Sequence, residues 1–225
     1  MFDIFFSPTK AFSRLKEKPR WLVPLVIVVV ASVAAAMVTT RFVDWKEQRN
    51  KAVERMRERN MSEEDIAKAT EGMERLFSSP LVRYGGPFVN SLLVTSIGLV
   101  VLALIYNVMV PLLGGTSSFS HSLAVVTNAA LVTVPGLLLR IVLSLLTRSA
   151  EATTSLAALF PHLKNGFLMV ILSRLDPFAI WQLFLAGLGL SVVFQLKGSK
   201  SYWLVFSVWA VVTLIFAFLG GRAMR

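Results

Sequence analysis

Few residues of this chain have the types and spacing that catalysis requires. The two histidines, His121 and His162, each lack a partner at the spacing of a metal-binding H-E-x-x-H motif. Cysteine is absent, which excludes disulfides, thiolate metal sites and cysteine nucleophiles. The sequence also lacks the G-x-S-x-G nucleophile elbow and both glycine-rich nucleotide-binding fingerprints. We therefore expect a protein that is not an enzyme and that uses no cofactor and no metal.

Four residues within apolar segments form a candidate intramembrane polar site: Asn107, Asn128, Pro135 and Arg140. Pro135, followed by glycine, predicts a kink, because proline removes a helical hydrogen bond where lipid offers no replacement. Interrupted helices line substrate sites in transporters, and the two asparagines could supply polar contacts there. No acidic residue lies at the centre of an apolar segment, so proton or cation coupling through a carboxylate has no candidate. A packing kink is thus favoured over a transport site, with Arg140 either functional or snorkelling to the interface.

The first 20 residues combine basic and apolar positions. Ser7 and Pro8 suit the start of a helix and Pro19 its end, with Phe12 and Leu15 on one face. The basic residues are Lys10, Arg14, Lys16, Lys18 and Arg20. This pattern is typical of an amphipathic helix in the plane of a lipid interface, where basic side chains bind anionic headgroups. The alternative is that the helix simply packs on the end of the bundle.

The elements that carry these residues are predicted to be transmembrane helices. The chain is 55% apolar with a mean hydropathy of +0.67, above the 45–50% or so of soluble domains. Five segments reach the length of about 20 apolar residues that a bilayer core requires. They are 21–40, 87–113, 122–146, 177–196 and 202–221. We expect an all-α bundle of about five spans that occupies the whole chain, 1–225, as a single membrane domain.

The segment 41–86 is the only sizeable polar region, with ten Lys or Arg residues and nine Asp or Glu residues. Ser62 followed by three acidic residues predicts a capped helix start, and capping explains these acids better than a metal site does. Opposite charges lie four residues apart in three pairs, Glu47 with Lys51, Glu64 with Lys68 and Glu71 with Arg75. We expect a polar helical hairpin on or near the membrane surface.

Two further patterns concern the second half of the chain. The connection 147–176 is apolar enough to form a pair of short interfacial helices, broken at Pro161 and Gly166. Asp176, which precedes Pro177, predicts a capped start of the fourth span. In the stretch GLGLS, from Gly187 to Ser191, small residues predict close helix packing rather than a phosphate loop.

The net charge of +10 could indicate nucleic acid, but the basic residues flank apolar segments, where they orient helices and meet lipid headgroups. We expect no nucleic-acid partner. The basic, short N-terminus and the acid-balanced first loop favour a cytoplasmic N-terminus, which places the C-terminus outside when there are five spans.

The sequence resembles the Yip-one family of small polytopic membrane proteins, named for interaction with Ypt/Rab GTPases. The resemblance is strongest in IFFSPTKAFSRLKEKPRWLVPL, from Ile4 to Leu25, and in LSRLDPFAIWQLFLAGLGL, from Leu172 to Leu190. It implies five spans and a cytoplasmic N-terminus. Eukaryotic relatives carry a long cytosolic region associated with Rab binding, whereas 20 residues precede Trp21 here, so Rab binding does not transfer. The short form is similar to prokaryotic members, which implies the cytoplasmic (inner) membrane of a prokaryote.

The expected function is that of a non-enzymatic scaffold or adaptor. Its expected partners are the lipid bilayer, anionic headgroups, and other membrane proteins or further copies of the chain. The alternative is a transporter or permease component with a site at the kinked third span.

Overall fold

The computed structural model describes residues 3–116, 118–160 and 166–222, and these ranges contain helices and no strand. In chain order the helices are α1 (Asp3–Phe6), α2 (Pro8–Glu17), α3 (Leu22–Thr40), α4 (Trp45–Glu58), α5 (Glu63–Ser78), α6 (Pro80–Leu112), α7 (Phe119–Ala130), α8 (Thr133–Thr147), α9 (Phe167–Arg174), α10 (Pro177–Phe194) and α11 (Gly198–Arg222). A single 3₁₀ turn, Leu156–Leu159, precedes α9. The predicted all-α class is confirmed.

Five stretches of helix in the described part of the chain are long and apolar enough to cross a membrane, as predicted. They are Leu22–Thr40, Pro80–Leu112, Phe119–Thr147, Pro177–Phe194 and Gly198–Leu219. The second begins seven residues before the predicted start at 87. The predicted start at Pro87 was wrong, because a proline removes only one helical hydrogen bond and the helix continues back to Pro80 at its first turn. With 33 residues, α6 is about 50 Å long and extends beyond a bilayer core of about 30 Å.

The third crossing is broken between α7 and α8, which confirms the predicted kink. The break lies at Leu131 and Val132, one turn before Pro135, because a proline ring collides with the carbonyl group four residues earlier. The backbone N–H of Leu131 bonds to the Asn128 carbonyl at 3.2 Å, and the N–H of Val134 bonds to the Leu131 carbonyl at 3.1 Å. These three-residue spacings tighten the chain through the break.

Helix α10 lies at the centre of the packing and contacts α2, α7 and α11. Its glycines bring the neighbours close, as the GLGLS stretch predicts. A Cβ atom built on Gly189 would lie 2.7 Å from both Phe12 Cε1 and Val125 Cγ1, and one on Gly187 would collide with the ring of Tyr202. On α8, a Cβ atom at Gly136 would lie 2.6 Å from Phe178 Cδ2. A side chain at any of these positions would therefore push two helices apart.

The polar segment forms the predicted helical hairpin, α4 and α5. Ser62 Oγ accepts a hydrogen bond from the Asp65 N–H at 3.2 Å, which confirms capping at the acidic cluster. All three predicted pairs of opposite charge form, with nitrogen–oxygen distances of 2.6–2.7 Å. Arg49 pairs with Glu74 between the two helices, and the rings of Trp45 and Phe77 lie 5.1 Å apart. A single residue, Ser79, joins the hairpin to α6.

The connection between α8 and α10 contains the 3₁₀ turn and α9, and α9 begins directly after Gly166 as predicted. Pro161 lies outside the described residues. Helix α9 packs along α11, with the Arg174 guanidinium 4.9 Å from the centre of the Phe216 ring. Asp176 Oδ1 accepts hydrogen bonds from the N–H groups of Phe178 and Ala179 at 2.8 and 3.2 Å, so the predicted cap of α10 is confirmed.

Candidate functional site

The four residues of the candidate intramembrane polar site lie in separate surroundings. Asn107 is half-buried on α6, and its Oδ1 has no hydrogen-bond partner in the described part of the chain. Asn128 is buried on α7, and its Nδ2 group donates two hydrogen bonds to the backbone. Pro135 is half-buried beside the break, and Arg140 is exposed on α8 after the exposed Leu139. No hydrogen bond within the described part of the chain joins these residues to one another, and a shared site stays a prediction.

Asn128 holds two parts of the chain together. Its Nδ2 donates one hydrogen bond to the Arg20 carbonyl at 3.0 Å and a second to the Ala124 carbonyl at 2.8 Å. The first bond fixes the short connection between α2 and α3 against α7. Because both amide hydrogens are used, the side chain serves the protein's own backbone rather than a passing substrate.

Replacing Asn128 with alanine is expected to destabilise the fold by about 1–3 kcal/mol, because the Arg20 carbonyl loses its buried partner. Thermal unfolding in mild detergent measures this effect, and amide exchange should increase around residues 18–22. Asn107→Ala is the matched control on α6. Since Asn107 Oδ1 accepts no bond from the described residues, that change should have little effect, and equal melting points for the two variants would contradict the assigned role.

The amino-terminal helix α2 packs on one end of the bundle with its apolar face inward. Phe12 is completely buried beside Gly189 and Val125, and Leu15 is buried next to it. The His121 ring lies against the backbone of this segment, with Nε2 3.1 Å from the Lys16 carbonyl oxygen. Asp3 and Arg14 form an ion pair that joins α1 to α2. Bundle packing, one of the two interpretations of this helix, is therefore present.

The predicted basic residues are all solvent-exposed in the structure. Lys10, Arg14, Lys16, Lys18 and Arg20 are exposed. We call this set the basic collar. A helix whose apolar face is fixed to a membrane-embedded bundle, and whose basic face is free, carries its positive charges at the height of the lipid headgroups. Their binding to headgroups stays a prediction.

A cavity of about 390 Å³ lies beside the basic collar, between α2 and the start of α3. Three collar residues line it, Arg14, Lys18 and Arg20, whereas Lys10 and Lys16 do not. The other lining residues are Asp3, Ala11, Leu15, Glu17, Val23, Pro24 and Asn128. No pattern in the sequence indicated this cavity, because it needs Asn128 to meet a segment more than a hundred residues earlier.

Among the described residues, no group of three His, Asp or Glu side chains is placed to hold a metal ion. His121 bonds to a backbone carbonyl oxygen, as a structural histidine does, while His162 lies outside the described residues.

Five membrane-crossing helices, a docked amphipathic helix and a polar hairpin define a polytopic, all-helical integral membrane protein. The chain belongs to the Yip1 domain family, whose model matches residues 2–219. This confirms the resemblance seen in the sequence, and the family is not known for an enzymatic activity. The chain is 23% identical over 223 residues to "Membrane protein YknW" of Bacillus subtilis. The matched residues make up 98% of this chain and 89% of that relative. No solved structure matches the sequence.

Proposed function

We propose that this protein is a non-enzymatic scaffold that organises anionic lipid, and through it other membrane proteins, around one end of its helix bundle. The observation that carries the proposal is the basic collar on a helix anchored by a fully buried Phe12. An amphipathic helix that is fixed to the bundle keeps its charges in one plane. It can therefore gather headgroups without the ordering cost that a free segment would have.

The distribution of charge supports a cytoplasmic position for the collar in the inner membrane of a prokaryote. Lys200 Nζ bonds to the Leu113 carbonyl at 3.3 Å, so the α6–α7 and α10–α11 connections lie together. Because His121 contacts the backbone at Lys16, the collar lies at the same end. Short segments rich in Lys and Arg favour the cytoplasmic side, which leaves the acid-balanced hairpin and the C-terminus outside.

The transporter alternative receives no comparable support. Its candidate residues are spread over separate surroundings, Asn128 is occupied by backbone hydrogen bonds, and Arg140 points outward.

The scaffold proposal predicts enrichment of anionic lipid around the protein. The full chain is reconstituted in mixed anionic and zwitterionic bilayers, re-extracted in mild detergent, and its retained lipid is measured by native mass spectrometry. We expect anionic lipid in excess over the bulk mixture, with an attraction of about 1 kcal/mol for each basic residue near the surface. Changing all five collar residues to glutamine should abolish the excess, and high salt should weaken it.

The matched control changes five basic residues of the hairpin, Lys46, Arg49, Arg55, Arg57 and Arg59, to glutamine, which removes the same charge from the other end. This variant should retain the excess. The proposal would be contradicted if the lipid retained by the wild-type protein has the composition of the bulk mixture and no other membrane protein co-purifies with it.

A further inference from the structure

The cavity beside the basic collar is lined by two basic side chains that make no ion pair with a described residue. Arg14 is neutralised by its ion pair with Asp3. Lys18 and Arg20, by contrast, make no ion pair with any described residue, although both line the cavity. An anion entering this space would meet two nearby side chains that carry charge-assisted hydrogen-bond donors.

The first turn of α3 adds donors to the same cavity. Trp21 stands at the cap position and offers no side-chain hydrogen bond to the helix start. Val23 and Pro24, in the first turn, line the cavity, and of these two only Val23 has a backbone N–H to donate. The start of a helix presents free N–H groups and a partial positive charge, which suits a phosphate group. The uncapped start and the two unpaired basic residues thus converge on one volume.

The remaining polar lining favours a particular kind of group attached to the phosphate. Glu17 lines the cavity and makes no ion pair with any described residue, so it is a free hydrogen-bond acceptor. The carboxylate repels any anion, and a bare inorganic anion has no hydroxyl group with which to offset that repulsion. A phosphate ester that carries hydroxyl groups can instead donate hydrogen bonds to Glu17 while its phosphate binds Lys18 and Arg20.

An apolar stripe leads away from the cavity along α3. Leu22, Val26 and Val30 lie four residues apart on one face, and each is at least half exposed. Val23, which lines the cavity, is also exposed and lies beside this stripe, because it is three residues from Val26 and seven from Val30. Acyl chains attached to a headgroup in the cavity would therefore lie against a surface of matching chemistry.

We propose that this cavity binds a single anionic phospholipid with a hydroxyl-bearing headgroup, such as phosphatidylglycerol. Lys18, Arg20 and the start of α3 hold the phosphate, Glu17 accepts hydrogen bonds from the headgroup, and the acyl chains run along Leu22, Val26 and Val30. The site rests on the proposed function, and it gives that function a defined ligand.

The test compares two charge-matched variants of the full chain, K18Q/R20Q and K10Q/K16Q. Each removes two positive charges from the collar, but only the first removes them from the cavity. Phosphatidylglycerol is titrated into the delipidated protein in detergent, and native mass spectrometry counts the first bound lipid. K18Q/R20Q should weaken that binding about tenfold or more for each lost charge-assisted contact. K10Q/K16Q should stay within about twofold of the wild type, as surface changes do.

A third variant keeps the charges and fills the space. Val23→Phe places a ring at the cavity wall and should displace the lipid while the collar stays intact, so a folding defect in K18Q/R20Q would not end the test. Three results would overturn the site. The first is an equal loss of lipid binding in the two charge-matched variants, and the second is undiminished binding in Val23→Phe. The third is phosphatidylethanolamine bound as tightly as phosphatidylglycerol. Equal losses together with anionic enrichment in bilayers would leave the scaffold proposal standing, so the two failures are distinguishable.

Discussion

Replacing Phe12 with alanine is expected to release helix α2 from the bundle. The ring is completely buried between Gly189 on α10 and Val125 on α7, and neither neighbour can fill the void that its loss would leave. Removing a buried phenylalanine side chain costs about 3–5 kcal/mol. Each 1.4 kcal/mol or so changes an equilibrium constant tenfold. The docked state of α2 should therefore lose most of its excess in population over the undocked state. Hydrogen exchange in lipid nanodiscs should show faster exchange of the amides across residues 8–17.

Phe6→Ala is the control for this experiment. Phe6 belongs to the same amino-terminal segment, but its side chain is 88% exposed, so its removal leaves no void. Amide exchange in α2 should then match the wild type. If α2 stays as protected in Phe12→Ala as in Phe6→Ala, the ring does not anchor the helix.

The second large effect is expected from Gly189→Leu. The first added carbon already lies 2.7 Å from Phe12 Cε1 and from Val125 Cγ1, closer than real side chains approach, so either α2 or α7 must move. Overpacking of this kind costs about 1–3 kcal/mol, and the movable partner is α2 because α7, unlike α2, is part of a membrane-crossing helix. We expect a lower melting temperature in detergent and increased proteolysis within the first 20 residues.

Gly98→Leu supplies the matched control, because Gly98 is also a glycine inside a membrane-crossing helix and nothing lies within 4 Å of a carbon added there. Its melting temperature should stay near the wild-type value. The double variant Phe12→Ala with Gly189→Leu adds a second check. A leucine at 189 would occupy part of the space that the ring leaves, so the two losses should be less than additive. Full additivity would show that the two residues do not share one contact.

The features that the sequence predicted correctly are local. The caps at Ser62 and Asp176 and the three charge pairs of the hairpin depend on residues two to four positions apart. The five apolar segments are equally local, since each is defined by its own length and composition. The kink before Pro135 arises from the proline itself. Such features need no knowledge of which helices become neighbours.

The features that the sequence did not reveal depend on distant residues. Asn128 was a candidate for polar contacts with a substrate. In the structure its Nδ2 donates to the Arg20 carbonyl, which lies 108 positions earlier in the sequence. The cavity could not be predicted for the same reason, because its lining brings Asn128 next to the amino-terminal segment.

The early start of α6 was missed for a different reason. Gly85, Gly86 and Pro87 resemble a helix boundary, but the surrounding helix tolerates them. The small residues in the GLGLS stretch predicted close helix packing. They did not predict that α2 would be one of the neighbouring helices.

The docking of α2 also sets the order of events during synthesis. Gly189, which completes the binding surface of Phe12, is made roughly 180 residues after it. At translation rates of about 5–20 residues per second, the amino-terminal helix waits roughly 10–35 s for its partner. During that interval its apolar face has only the membrane interface to cover it. Helix α2 therefore reaches its final position only after the fourth span has been made.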